Sequence, residues 1–316
     1  MNSTNTPIMF HDFHDNNSKP NTQGSVNQDY IYRLIKYIGI KNILSPEDYI
    51  LKYNNNTLNK NHLCLTFDDG LKSQLKIAYP ILNEFKIRSF FFIPSTYILN
   101  KDKVLESYKH FYMNYYSNVN FYYEDFFNEL YRYFDKKKLN ILLKNYHYKI
   151  IKIMKLKSFY SYQDIQFRLI RNSIISNILF SKVNKILFKK KKFNYHKINK
   201  DKYLNENDLK LIAKENKIGL HSQNHFFNIR KVSYFSQYNE YKNNKKYLSS
   251  IINNQVINSL SYPSGVYNYQ TVKILKKLKI NFAFRNVNKK YHFNYEKQNK
   301  NLFVNRNNHI EYNKYL

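Results

Sequence analysis

The chain has 316 residues and 43% hydrophobic content, enough for one large α/β domain with a substantial core and too apolar for wholesale disorder. Lys and Arg number 52 against 22 Asp and Glu, a formal charge of +30, in a sequence saturated with Lys, Asn, Ile and Tyr and devoid of Trp. This bias suits a genome poor in G and C, and with no recognisable nucleic-acid module the charge is read as a solvated surface rather than specific nucleic-acid binding.

In chain order, Ile8-Met9-Phe10-His11 reads as a short first strand, and a polar loop runs to Gly24. Asp29 to Ile38 has helical periodicity. Ser45-Pro46-Glu47-Asp48 is a helix start, with Ser45 as cap, Pro46 at the first position and acids in the first turn. The apolar run His62–Phe67 ends in Asp68-Asp69-Gly70, and a helix is predicted over Gln74–Phe85 with Leu75, Ala78, Leu82 and Phe85 on one side. Ser89–Ile93, closed by Pro94, completes a strand-helix-strand unit, which argues for parallel strands.

Between about 101 and 200 strand signals fade and aromatic, lysine-rich helical stretches dominate, so this region reads as a helical insertion in a single domain spanning 1–316. Its best helix is predicted over Gln166–Phe188, with Phe167, Ile170, Ile174, Ile178 and Leu187 on one face and Arg168, Arg171, Lys182 and Lys185 off it, followed by Lys189–Lys192. The plain reading is an amphipathic helix packed on the domain with a solvated basic end; the sharper one is peripheral contact with an anionic membrane. Strand signals resume at Lys217–His221, Val256–Tyr262, Ile280–Phe284 and Leu302–Val304.

No apolar run reaches 18 residues, and Met1–Pro7 shows no basic and apolar signal pattern. The lone Cys64, inside an apolar strand, is expected to be a small buried hydrophobe. One thiol and no visible signal peptide fit a reducing cytoplasm. The sequence assigns no oligomeric state.

The chemistry sits at two strand ends. Asp68-Asp69-Gly70 alone is a good turn, and His221-Ser222-Gln223-Asn224-His225 alone could be a surface pair. Both end apolar strand-like runs, however, and strand ends converge on one face of a parallel α/β fold. Two imidazoles and one carboxylate can hold zinc with a position open for water, and the second carboxylate can take a proton. Such a set suits hydrolysis of an amide or ester.

Thr66-Phe67-Asp68-Asp69-Gly70 resembles the first motif of the polysaccharide deacetylase family, and His221-Ser222-x-x-His225 the second. Leu260-Ser261-Tyr262-Pro263-Ser264-Gly265 resembles a degenerate third motif of Tyr-Pro-x-Gly form. The resemblance runs from about Ile8 through Arg306, with 101–200 as insertion. It implies a distorted (β/α) barrel with fewer strands than a complete eight-stranded one. It further implies Asp68 as general base, Asp69, His221 and His225 as ligands of zinc or another divalent metal, and the Pro263–Gly265 loop lining the site. A backbone N–H near Ser264 would help hold the oxyanion.

The chain also departs from the pattern. Ser261 stands where many members have an arginine that orients the base, and a later Asp and Trp motif cannot be complete. The histidine expected late as general acid has His309 as its nearest candidate; Arg306 is a candidate for neutralising the site, and His11 for reaching its mouth. The expected function is zinc-dependent removal of an N-acetyl group from an amino sugar or a nucleotide- or lipid-linked glycan precursor. The rivals are a deformylase or other amide hydrolase, and a catalytically inactive carbohydrate-binding or scaffold protein on the same fold.

Overall fold

The computed structural model describes residues 6–17, 22–99, 107–156, 160–286 and 293–316. Two compact units are formed, one by residues 1–101 with 200–316 and one by 102–199.

The first unit is a closed barrel of seven parallel strands in sequence order. The strands are β1 (Ile8–Phe10), β2 (Leu65–Asp68), β3 (Phe90–Ile93), β4 (Lys217–Leu220), β5 (Ser259–Ser261), β6 (Phe282–Asn286) and β7 (Val304–Asn308). Closure comes from β7 pairing with β1, Ile8 opposite Asn307 and Met9 opposite Asn308. The other predicted strands are present, but the one predicted over Leu302–Val304 is displaced: Lys300–Leu302 is a 3-10 turn, β7 starts at Val304, and its run to Asn308 carries Arg306 into the barrel.

Alternate residues of a strand face opposite sides, and the two sides are both apolar here. Cys64, Phe90, Phe92, Phe282, Phe284 and Val304 form one buried cluster inside the barrel. Phe67, Phe91, Ile93, Ile218, Leu220 and Leu260 pack outward with helix residues such as Leu34, Ile81, Leu209 and Leu275. Each buried Phe contributes roughly 1.5–3 kcal/mol relative to exposure. The interior is full at Gly219, where a Cβ would lie 2.5 Å from the Phe92 ring and 2.7 Å from Ser259 Oγ. Tyr49, on the helix Pro46–Asn54, joins the inner cluster. That helix starts as predicted, Ser45 Oγ accepting from Asp48 N at 3.1 Å. Cys64 is fully buried, and burial pushes its thiol pKa up.

The helix predicted over Gln74–Phe85 is divided into a π-turn, Gln74–Ala78, and an α-helix, Tyr79–Glu84. Pro80 has no N–H for the Lys76 carbonyl and its ring crowds that group, so the turn before it widens.

The second unit is helical. Its described helices are Ser107–Tyr115, Val119–Leu130, Lys136–Leu156, Tyr162–Leu169 and Asn177–Lys190, with a π-turn at Ile170–Ile174, and the helix Tyr195–Lys202 begins within it. Its core is aromatic: Phe111, Tyr122, Phe126, Phe167 and Phe180 are buried, and Tyr122 donates to Asn184 Oδ1 at 2.9 Å. The single helix predicted over Gln166–Phe188 is broken at Ile175, and Ser176 caps a new helix by accepting from Leu179 N at 3.1 Å. The break resets the helical phase. Ile178, predicted inward, is 81% exposed, while Phe180, Val183 and Leu187 form the buried stripe. Arg171, predicted outward, is buried and donates to the Tyr108 hydroxyl. Among the described residues no helix is long and apolar enough to cross a membrane.

Candidate active site

The site lies where the strands end. Asp68 is the last residue of β2, Asp69 follows it, and His221 follows β4. The loop 221–225 is pinned by two residues one turn apart on the helix Tyr234–Ile251. Asn244 Oδ1 accepts from His221 N at 3.2 Å, and its Nδ2 donates to Ile93 O at 3.0 Å. Glu240 Oε2 accepts from Asn224 N at 2.8 Å. Within the loop, Ser222 Oγ accepts from His225 N at 3.0 Å. The two histidines are thus set by a loop rather than by one helical face.

Backbone strain concentrates here. Asp69, Ser222, His225 and Ser264 have φ of 76°, 55°, 49° and 55°. L-residues enter this left-handed region at a cost, and such residues cluster at functional sites.

Asp69, His221 and His225 are all buried, and their ligand atoms lie within 4.8 Å of one another. His221 Nε2 and His225 Nε2 each lie 3.3 Å from Asp69 Oδ1. Neither approach has hydrogen-bond geometry, and Asp69 Oδ1 is a buried oxygen with no hydrogen-bond donor. The edge of a tetrahedron around a zinc ion with ligands at about 2.0–2.1 Å is about 3.3–3.4 Å. The donor set and both measured edges therefore fit a tetrahedrally bound divalent cation. His221 Nδ1 lies 2.8 Å from Ser261 O; donation to that carbonyl leaves Nε2 as the lone-pair nitrogen a metal requires.

Asp68 is held differently. Arg306 Nη1 donates to Asp68 Oδ1 at 2.8 Å, and Nη2 to Oδ2 at 2.7 Å. Ser261 Oγ donates to Asp68 Oδ2 at 3.0 Å and accepts from Arg306 Nη2 at 2.6 Å. Arg306 Nη1 also donates to Thr66 Oγ1 at 2.9 Å, and the Thr66 hydroxyl donates to Ile8 O at 3.0 Å. The guanidinium lies 5.6 Å and 5.8 Å from the ring centroids of Phe92 and Phe284. Arg306 is 1% exposed, so it is a cation sealed beneath the site inside the barrel.

The electrostatics follow. Burial raises the Asp68 carboxyl pKa, but Arg306, His221 and a weaker pull from His11 outweigh it and leave it below the ordinary value. Burial likewise opposes ionisation of Asp69, and His225 and His221 hold its pKa well below the usual range. For His221 burial disfavours the cation, while Asp68 and Asp69 outweigh that and raise its pKa.

The remaining sequence candidates divide. His11 follows β1 and is close enough to influence both carboxylates electrostatically. Pro263–Gly265 forms a tight turn after β5 with Ser264 exposed. Arg306 does not reach toward the mouth as a substrate contact; its fork is consumed below Asp68. His309 does not join the site. Its Nδ1 faces Met9 O at 3.2 Å and its Nε2 faces Gly24 O at 3.0 Å, and the ring is 2% exposed and stacks on Phe10. A proton donor needs a nitrogen directed at substrate, and both are directed at backbone.

Sequence reading missed Gln74, whose Nε2 donates to His11 O at 2.8 Å and Asp68 O at 2.6 Å. It also missed Ser73, which donates to Asp12 Oδ1 at 2.6 Å, and the buried pair Lys202–Asp12 at 3.2 Å. The available signal was a polar residue sharing a helical face with Ala78, Ile81 and Leu82.

The sequence profile of the polysaccharide deacetylase family matches residues 187–283, a stretch that holds His221, His225 and the Pro263–Gly265 turn. No curated protein matches the sequence. Among solved structures, the Streptococcus pyogenes deacetylase PplD, in complex with acetate, aligns at TM-score 0.54 and 18% identity over 96% of this chain and 91% of its own. The de-N-acetylase from Aggregatibacter actinomycetemcomitans aligns at TM-score 0.53 and 11% identity, covering 95% and 93%. IcaB from Ammonifex degensii aligns at TM-score 0.53 and 12% identity, covering 95% and 89%. Over residues 187–283 the chain is thus similar to the polysaccharide deacetylase family, and its likeness to these solved deacetylases is one of fold.

Proposed function

We propose that the protein is a metal-dependent hydrolase that removes the acetyl group from an N-acetylated amino sugar. The observation that carries this reading is a buried Asp-His-His set at tetrahedral spacing, with a second carboxylate beside it whose charge is fixed by an arginine. Asp69, His221 and His225 would hold the ion, with zinc the best match to two imidazoles and one carboxylate. When bound, the ion supplies Lewis acidity that polarises the acetyl carbonyl and acidifies a water.

Asp68 is the proton acceptor. A carboxylate offers four lone-pair directions. Arg306 takes two and Ser261 one, which leaves one on Oδ1 for a water. The arginine keeps the group ionised throughout the working range, and orientation supplies the rest of its efficiency. His11, at the neighbouring strand end, is the proton donor to the departing amine; it is half-buried and close to both carboxylates. The Pro263–Gly265 turn lines the site, and the N–H near Ser264 is the candidate oxyanion donor.

The Ser261 departure does not argue for an inactive protein, because Arg306 on β7 supplies the cation that position 261 lacks. The test is acetate release from N-acetylglucosamine oligomers by zinc-loaded protein, with an N-formyl analogue to separate deacetylation from deformylation. Asp68→Asn and His11→Gln should each lower turnover by roughly 10²-fold or more. Wild-type turnover in either variant contradicts the role given to that residue.

A further inference from the structure

We propose that Gln74 is a positioning residue that fixes the spacing between the proton donor and the proton acceptor; this rests on the roles given above to His11 and Asp68. The β1–β2 ladder pairs Ile8 with Leu65, Met9 with Thr66 and Phe10 with Phe67. One step further along lie His11 and Asp68. There the backbone ladder stops, and the Gln74 amide replaces it. Its two N–H bonds donate to His11 O at 2.8 Å and Asp68 O at 2.6 Å. A single side chain therefore ties together the backbones of the two residues that must act on opposite sides of one reaction.

Three features support positioning over ordinary packing. Gln74 is fully buried, yet its Oε1 has no hydrogen-bond partner. An orphaned buried acceptor costs about 1–3 kcal/mol, which an apolar residue at this position would avoid. The amide orientation is fixed chemically, since only the NH2 end can face two carbonyl oxygens. Gln74 also opens the π-turn Gln74–Ala78, a local geometry found often at functional sites. Its neighbour secures the same loop from the other side: Ser73 Oγ donates to Asp12 Oδ1 at 2.6 Å and accepts from Phe13 N at 3.2 Å. Asp12 in turn accepts from Thr22 Oγ1 at 3.0 Å and Lys202 Nζ at 3.2 Å. The segment after β1 is thus held at consecutive residues, and the Gln74 amide hydrogen-bonds it to the end of β2.

The experiment compares zinc-loaded full-length wild type with Gln74→Met, which keeps the length and removes both donors. The expected result is a fall in kcat of roughly 10²-fold, the usual consequence of displacing a reacting group by about 1 Å. KM, zinc stoichiometry and the cooperativity of melting should stay within twofold of wild type. Gln74→Asn, which keeps the amide but withdraws it, carries the test if the Met variant does not fold; its kcat should fall about tenfold. Wild-type kcat in a folded variant overturns the proposal, as does a loss that appears only together with loss of zinc. If Asp68→Asn and His11→Gln lose turnover while Gln74→Met does not, this inference alone fails. If those two retain turnover, the reading beneath it fails.

Discussion

Replacing Arg306 by Met would test the sealed cation most severely. Met reaches along the same path between Phe92 and Phe284 but offers no donor, so Asp68 keeps only the Ser261 hydroxyl. Asp68 is 2% exposed, and breaking a buried ion pair from one side leaves an uncompensated charge at a cost of about 3–5 kcal/mol. Against a total stability of about 5–15 kcal/mol this is a large fraction, and the melting temperature should fall by on the order of 10 °C. The double-mutant cycle isolates the charge. In an Asp68→Asn background Arg306 is itself the stranded buried charge, so Arg306→Met removes it and should cost less than about 1 kcal/mol or stabilise. The coupling energy, read from urea denaturation of the four proteins, should be about 2 kcal/mol or more. An Arg306→Met penalty under 1 kcal/mol, or an equal penalty in both backgrounds, would refute the reasoning.

Two further outcomes follow from the same structure. Burial, against two carbonyl contacts that favour the charged ring, pushes the His309 pKa down to about 4 from 6.5. The unfolded chain therefore binds the extra proton first, so His309's contribution is fully present above pH 6.5 and is lost as pH falls toward 4. That loss amounts to about 3 kcal/mol, and the pH dependence of the urea midpoint should be shallower in His309→Gln; an unchanged dependence would contradict the assignment. Gly219→Ala should destabilise the barrel by about 1–3 kcal/mol in thermal melts, because the new methyl would sit 2.5 Å from the Phe92 ring. A neutral result there would mean that the interior has room to adjust.

The parts of the site that were legible in the sequence are those carried by local pattern. Asp68-Asp69-Gly70 and His221–His225 each end an apolar run, and parallel strands deliver such ends to one face. The order of strands and helices pointed to parallel α/β strands, and the barrel was implied by the family resemblance. What could not be read locally depends on closure. Arg306 reaches Asp68 only because β7 returns to β1 and extends past Val304, a pairing of residues 238 positions apart. His309 looked like a late site histidine, yet the end of β7 turns it onto Met9 and Gly24. Gln74 was hidden by a helix that widens into a π-turn before Pro80. In the second unit Ile178 was misplaced because the Ser176 cap restarts the helix in a new phase, and Arg171 because it lies in the π-turn Ile170–Ile174 before that cap.

The central claim is a division of labour between adjacent carboxylates: Asp69 belongs to the metal set and Asp68 to the proton. The most direct measurement is zinc binding, by titration calorimetry and elemental analysis, to wild type, Asp68→Asn and Asp69→Asn. The account predicts one zinc per chain in wild type and in Asp68→Asn at similar affinity, and an affinity at least 10²-fold weaker in Asp69→Asn. Equal zinc binding by Asp69→Asn and wild type, or loss of zinc in Asp68→Asn alone, would contradict it.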